Sequence, residues 1–203
     1  MPSSASAFKT RDALIAAAQE CLASDQLGAS VAQITQMAGV SVGSLYSHFK
    51  DRERLFDQAG AEYLARYLPS LNAILEKADN PAIGFVGALY RLSELPKVSP
   101  RTARIAFNGG TRALNEVRYY STEPSVAIRE AVTAGKIPPL DAEAFVIAVI
   151  GAFQMVLTRQ MSNHQTEDLP LRTALLFGAQ LGYDEAQMQK YLETVHLEDL
   201  IDE

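Results

Sequence analysis

The residues best suited to do chemistry lie in one stretch, from Val31 to Lys50, which is rich in small and hydroxylated side chains. Its sequence, VAQITQMAGVSVGSLYSHFK, predicts a short helix, a turn at Gly39 and a second short helix. Glycine adopts a positive φ angle at such a turn without steric cost. In helix-turn-helix proteins the second helix enters the major groove of DNA, and its first residues contact base edges. This pattern therefore predicts recognition of DNA.

The second helix of this motif divides into three kinds of side chain. The first residues are small, which would let the backbone approach the bases closely; they are Ser41, Val42, Gly43 and Ser44. Hydroxyl, imidazole and ammonium groups that suit phosphates follow; they are Tyr46, Ser47, His48 and Lys50. Leu45 and Phe49 are four residues apart and should face inward, where they would hold the helix against its neighbours.

Charge is distributed unevenly along the chain. The net charge of −6 argues mildly against a nucleic-acid-binding protein, because such proteins are often basic. No Asp or Glu occurs between Gln26 and Lys50, however, and 19 of the 24 acids follow Phe56. An acidic protein can still present a local surface that tolerates phosphates. The alternative is that a neutral stretch of 25 residues arises by chance.

Length and composition place the chain among ordinary globular proteins. Its 203 residues allow one domain or two small ones, and 48% are apolar. A single cysteine excludes an internal disulfide and a cysteine-based zinc site, so a cytosolic protein is expected. The N-terminal residues contain no apolar run, so no secretory signal is expected. The longest apolar stretch, Ala144 to Phe153, is shorter than the roughly 20 residues of a membrane span and predicts a buried helix.

Helix signals recur along the whole chain, and no strand alternation or hairpin turn is evident. Capping residues or prolines mark helix starts at Ser30, Asp51, Asn80, Ser99, Pro124, Asp141 and Asp184. These signals predict an all-α protein with about nine or ten helices. Pro69 should bend or end the helix that begins at Asp51. Gly109-Gly110 is more readily interpreted as a loop between two short helices than as a kink.

The segment from Thr10 to Leu55 resembles the DNA-binding domain of the tetracycline repressor (TetR) family. The residues that carry the resemblance are Arg11, Ala17-Ala18, Ile34, Ala38-Gly39-Val40-Ser41, Gly43 to Lys50, Arg52-Glu53 and Leu55. A departure is Ala29, where the family often has an aromatic residue. The resemblance covers about a quarter of the chain. It implies a bacterial cytosolic regulator and a positive charge near the phosphates at Lys50 or Arg52.

Two domains follow from this resemblance and the helix pattern. Residues 1–54 would form a three-helix, helix-turn-helix DNA-binding domain, and residues 55–203 a larger helical bundle for ligand binding and dimerisation. The expected partners are a palindromic operator DNA, a small-molecule effector and a second copy of the chain. The two apolar helices at about 141–161 and 169–182 would form the dimer interface, although both could simply be core.

Ligand residues in the bundle can only be chosen by residue type. Polar and aromatic side chains in otherwise apolar helices are candidates. They are Tyr90, Phe107, Asn108, Thr111, Arg112, Tyr119, Phe153 and Gln154. Arg112 could pair with an anionic ligand, but an ion pair with Glu116 at i+4 is the more ordinary interpretation.

The function predicted is that of a transcriptional repressor released from its operator by a small molecule. An activator, or a regulator without a ligand, is the alternative, followed by a helical interaction protein that does not bind DNA. An enzyme is not expected, because no nucleophile elbow, phosphate-binding glycine loop or metalloprotease motif is present. No cofactor or metal is expected either, since the three histidines are far apart. Cys21 lies on an apolar helix face and should be an inert, buried thiol.

Overall fold

The chain is all-α: a computed structural model describes residues 4–118, 124–162 and 168–196, and these residues form eleven helices and no strand. The helices are α1 (Ser4–Ala23), α2 (Val31–Met37), α3 (Val42–His48), α4 (Arg52–Ala65), α5 (Leu68–Lys77), α6 (Pro81–Val98), α7 (Pro100–Arg118), α8 (Pro124–Thr133), α9 (Ala142–Met161), α10 (Leu169–Gln180) and α11 (Glu185–Glu193). The count exceeds the expected nine or ten because α4 ends at Ala65 and the chain resumes as α5, with Pro69 in its first turn.

Helix starts follow the capping signals of the sequence. The Ser30 Oγ accepts the amide of Gln33, and the Gln33 side chain accepts the Ser30 amide at 2.8 Å, which completes the predicted capping box at α2. Asp184 and Gln187 form a second capping box at α11. Asn80 caps α6 by accepting two amides at 3.0 Å. These contacts use backbone donors that a helix end otherwise leaves without partners.

The expected loop at Gly109-Gly110 is wrong, because α7 runs unbroken from Pro100 to Arg118. Each glycine costs roughly 1 kcal/mol relative to alanine in a helix interior. The first half of α7 offsets that cost with burial, since Ala103 and Ile105 are completely buried. Propensity alone therefore misplaced the end of this helix.

The chain divides into two compact units. The N-terminal unit contains residues 1–66 and 104–120, and the C-terminal unit contains residues 67–103 and 121–203. The boundary expected after residue 54 falls within α4, and the whole of α4 lies in the N-terminal unit. Residues 104–118 of α7 belong to that unit as well.

In the N-terminal unit, α1 is the central helix and packs against α2, α3 and α4. Its apolar face is buried as the spacing predicts, with Leu14, Ala18 and Cys21 at 0% exposure. Burial raises the pKa of the Cys21 thiol, as expected for a thiol in apolar surroundings. Leu45 of α3 and Leu55 of α4 are also fully buried, so α1, α3 and α4 all contribute to the buried interior of this unit.

In the C-terminal unit, α6 packs against α5, α8, α9 and α10. Phe145 of α9 and Phe177 of α10 meet edge to face with ring centroids 5.7 Å apart, a favoured aromatic geometry. The core around them includes Ile83, Val149 and Met188, all fully buried. By length and composition α9 is also apolar enough to cross a membrane, a property that the core helices of soluble proteins share.

Candidate nucleic-acid interface

The second helix of the motif, α3, begins at a serine cap. The Ser41 Oγ accepts the Ser44 amide at 3.2 Å, and the two serine hydroxyls lie 2.9 Å apart. Ser47 donates its hydroxyl proton to the Gly43 carbonyl at 2.9 Å. The three serines therefore make hydrogen bonds within their own helix, which stabilises a helix of only seven residues.

One face of α3 is buried and the opposite face is open to solvent. Leu45 and Phe49 are 0% and 4% exposed, which confirms their predicted inward position. Val42 and Tyr46, one turn apart, are 44% and 57% exposed. The other exposed positions near them are Ser41, Gly43, Ser47 and Lys50, whereas Ser44 and His48 are half-buried. A surface of this kind can contact a groove without disturbing the core.

Two positions of the motif, 39 and 43, are occupied by glycine for different structural reasons. Gly39 has a φ angle of +66°, the left-handed conformation that its place in the turn requires. Gly43 lies inside α3 with no such requirement, and a Cβ there would meet nothing closer than the Ser41 hydroxyl at 3.8 Å. Glycine costs about 1 kcal/mol relative to alanine inside a helix. No contact in the described part of the N-terminal unit requires a glycine at this position, whereas close approach of an external surface would.

Arg52 does more than supply charge. Its guanidinium donates to the carbonyls of Leu27 at 2.7 Å and Ala29 at 3.1 Å, and it also pairs with Glu53. The same group lies 5.2 Å from the centroid of the Phe56 ring. Arg52 thus fastens the loop between α1 and α2 to the start of α4. Its sequence-based role at the phosphates stays a prediction, and the geometry adds a positioning role that the sequence did not reveal.

Arg11 holds the other side of the motif. Its guanidinium pairs with Glu62 of α4 and lies 5.9 Å from the centroid of the Phe49 ring, at the end of α3. One side chain of α1 therefore contacts both the end of α3 and the helix α4. Long charged side chains can position an element through their stems as well as their charge.

A cleft that the sequence did not predict lies between α1 and α4 of the N-terminal unit. Its volume is about 530 Å³, and charged, amide and small apolar side chains line it. Arg11 and Glu62 pair across part of it, and the buried Gln19 donates to the Ala59 carbonyl at 3.1 Å. The polar groups of this cleft are thus largely engaged with one another.

The predicted ligand residues divide between the two units. Tyr90, Phe153 and Gln154 belong to the C-terminal unit, and Phe107 and Asn108 to the N-terminal unit. The side chains of Thr111 and Arg112, and the whole of Tyr119, lie outside the described part of the chain.

Each described ligand candidate already has a structural environment. Phe153 is 4% exposed and packs in the main core of the C-terminal unit. The Asn108 amide donates to the Leu22 carbonyl at 2.7 Å and to Asp25 at 3.3 Å. Tyr90 is half-buried beside the Arg91 guanidinium, and burial raises the pKa of its phenol. Phe107 and Gln154 are half-buried. Their role toward a ligand stays a prediction.

The predicted dimer helices carry an exposed apolar stripe. Ile147 and Met155 of α9 and Leu176 of α10 are 63%, 58% and 60% exposed. Near Ile147 and Met155, α9 also exposes small residues, namely Ala144, Ala148 and Gly151. The opposite face of α9 is buried in the core through Phe145, Val149 and Phe153. The same helix therefore has a core face and a second apolar face open to solvent.

Comparison with known proteins points to the same motif. Residues 14–59 match the family of bacterial regulatory proteins known as the tetR family. The fold is similar to that of RolR in complex with resorcinol, with 20% identity, 93% of this chain and 95% of RolR covered, and a TM-score of 0.66. FadR from Bacillus subtilis in complex with stearoyl-CoA is similar at 17% identity, with 83% and 96% covered and a TM-score of 0.62. No curated protein matches the sequence.

Proposed function

We propose that this chain is a sequence-specific DNA-binding repressor that works as a homodimer and responds to a small molecule. Its residues 14–59 match the tetR family of bacterial regulatory proteins. The observation that carries the proposal is the exposed face of α3. This face is held by Leu45 and Phe49 from behind and is free of acidic side chains throughout the motif. Such a surface fits the major groove of DNA.

In this proposal two sets of residues share the work. Val42 and Gly43, at the start of α3, approach base edges, with Ser41 and Ser44 beside them. Tyr46 and Lys50 are exposed and contact phosphates, with Ser47, His48 and Arg52 nearby. Phosphate contacts position the helix and base contacts specify the sequence. Since Arg52 already binds two carbonyls, its contribution at the phosphates is mainly its charge.

DNA binding is tested by selection from randomised duplexes, followed by binding measurements at several salt concentrations. We expect a palindromic sequence with half-site centres about 34–36 Å apart, or a multiple of that distance. The logarithm of affinity should fall linearly as the logarithm of salt concentration rises, because phosphate contacts release counterions. Lys50→Ala should reduce the slope, and Lys136→Ala, an exposed lysine of the C-terminal unit, serves as the matched control. A selection that enriches no sequence contradicts the proposal.

The homodimer is proposed from the exposed stripe on α9 and α10. Isologous packing of these two helices with those of a second copy would make a four-helix interface and cover Ile147, Met155 and Leu176. Exposed apolar side chains in one contiguous area typically mark an interaction site. The small residues on this face of α9 favour such packing, because they let the backbones of the two copies approach each other.

Light scattering tests the dimer. Ile147→Asp should give a folded monomer at micromolar concentration, while the wild type is a dimer. Val98→Asp, at a valine that is 45% exposed in the same unit, should leave the dimer intact. A monomeric wild type contradicts the proposed interface. Binding of the wild type to phospholipid vesicles that Ile147→Asp abolishes would assign the stripe to a membrane instead.

Repression and release form the remaining part of the proposal. A ligand changes DNA affinity only by as much as its own affinity differs between the two states of the protein. Transcription in vitro from a promoter that overlaps the selected operator should fall when the protein is added, and a rise would indicate an activator. Resorcinol and stearoyl-CoA are suitable effector probes, as an aromatic and an acyl-chain compound. A probe that stabilises the protein without lowering its DNA affinity contradicts release.

A further inference from the structure

The serine hydroxyls of α3 are largely used within the helix. Ser47 donates to the Gly43 carbonyl, and Ser41 and Ser44 share one hydrogen bond between their hydroxyls. A hydroxyl has one proton to donate, so two of the three serine protons already have acceptors. Polar reading of bases by these serines is therefore limited to the one remaining proton and to the lone pairs of the hydroxyl oxygens.

Val42 differs from these serines in both exposure and chemistry. It is the first residue of α3, and 44% of it is exposed. Gly43 follows it and projects no side chain, so the isopropyl group of Val42 stands clear beside an open stretch of backbone. An isopropyl group makes no hydrogen bond, and its exposure to water offers nothing to the stability of the fold.

In the major groove, one apolar group distinguishes the bases. Thymine carries a methyl group at C5, whereas the other edges present hydrogen-bond donors and acceptors. The first residues of a recognition helix are those that reach base edges. We propose that Val42 is a specificity-determining residue that selects thymine by packing against its C5 methyl group, with Gly43 providing the clearance. This inference rests on the proposed DNA-binding function.

The experiment replaces thymine by deoxyuridine, which lacks only that methyl group, at each thymine of the selected operator in turn. At one position in each half-site the wild-type affinity should fall about fourfold, which corresponds to about 0.8 kcal/mol for one buried methyl-sized group. Val42→Ala should lose a similar factor on the thymine operator and nothing further on the deoxyuridine operator. The non-additivity of the two changes identifies the contact itself.

Two control variants make the result specific. Val98→Ala changes a valine of matching exposure in the C-terminal unit and should leave the deoxyuridine effect unchanged. Met37→Ala removes another exposed apolar side chain of the motif, at the end of α2 and 47% exposed. If Met37→Ala, and not Val42→Ala, abolishes the sensitivity to deoxyuridine, Val42 is not the reader and the inference is overturned.

The outcomes also separate this inference from the proposed function. An operator that is bound with equal affinity with thymine or deoxyuridine at every position overturns the role of Val42 and leaves DNA binding intact. A protein that binds no selected duplex overturns the proposed function, and the inference with it. Circular dichroism of Val42→Ala should match the wild type, because this side chain lies outside the core.

Discussion

The helices α3 and α9 both expose apolar side chains, and they are supported in different ways. The helix α3 has seven residues and rests on Leu45, on a serine cap and on neighbouring elements that Arg11 and Arg52 hold in place. The helix α9 has 20 residues and buries a complete face, including Phe145 and Phe153, in the core of its unit. The two helices thus expose apolar side chains to a similar extent but are held in place by different kinds of contact. Two buried side chains, Leu45 and Phe49, and a few polar contacts position α3, whereas apolar packing along a whole face positions α9.

The largest effect should come from the packed helix. Phe153→Ala removes a side chain that is 4% exposed, and we expect it to lower the free energy of unfolding by about 3–5 kcal/mol. Ile147→Ala, on the exposed face of α9, should change the stability of the isolated subunit by less than about 0.5 kcal/mol. Urea denaturation measures both, in a Leu176→Asp background that should keep the subunits apart. If Phe153→Ala and Ile147→Ala lowered the free energy of unfolding equally, the two faces of α9 would not differ in their contribution to stability.

The next effect tests the polar support of α3. Arg52→Lys keeps the positive charge but loses the guanidinium fork, so we expect a loss of about 2 kcal/mol from hydrogen bonds to a charged group. Arg66→Lys is the control, because Arg66 is exposed and lies over the Tyr63 ring of the same unit. If both variants melt at the wild-type temperature, the contacts of Arg52 with Leu27 and Ala29 do not position the loop.

The two glycines of the motif should respond with opposite signs. Gly39→Ala forces alanine into a positive φ angle and should destabilise the protein by roughly 1–2 kcal/mol. Gly43→Ala should leave stability unchanged or raise it by up to about 1 kcal/mol, while weakening binding to the selected operator. Thermal unfolding and DNA titration of both variants separate a fold requirement from clearance for DNA. A Gly43→Ala variant with full DNA affinity would remove the argument for close approach.

The smallest effect concerns a single phenol on the exposed face. Tyr46→Phe should weaken binding to operator and random DNA alike by about 1 kcal/mol, because one hydrogen bond to a phosphate is lost. Tyr90→Phe, in the C-terminal unit, is the control. Ser44→Ala should instead alter base preference at one or two positions of each half-site, if the hydroxyl that faces Ser41 also contacts a base. If Tyr46→Phe altered base preference and Ser44→Ala weakened binding to all DNA alike, α3 would enter the groove in a different rotation.

The sequence by itself determined the features that depend on residues a few positions apart. The capping boxes at Ser30 and Asp184 and the inward position of Leu45 and Phe49 involve partners three or four residues away. Helical periodicity and cap chemistry act at that range. They were therefore predictable, and with them the all-α class and the location of the helix-turn-helix.

Only the tertiary structure decided the features that join distant residues. Arg52 meets carbonyls 23 and 25 residues before it, and Asn108 meets a carbonyl 86 residues before it. The continuity of α7 through Gly109-Gly110 likewise depends on burial of Ala103 and Ile105 against other elements. Such contacts follow from how helices pack. The same local sequence allows a long polar side chain to bind a loop, form an ion pair or contact a ligand. Packing selects among those uses, because a buried polar group must find its partner wherever the fold places one.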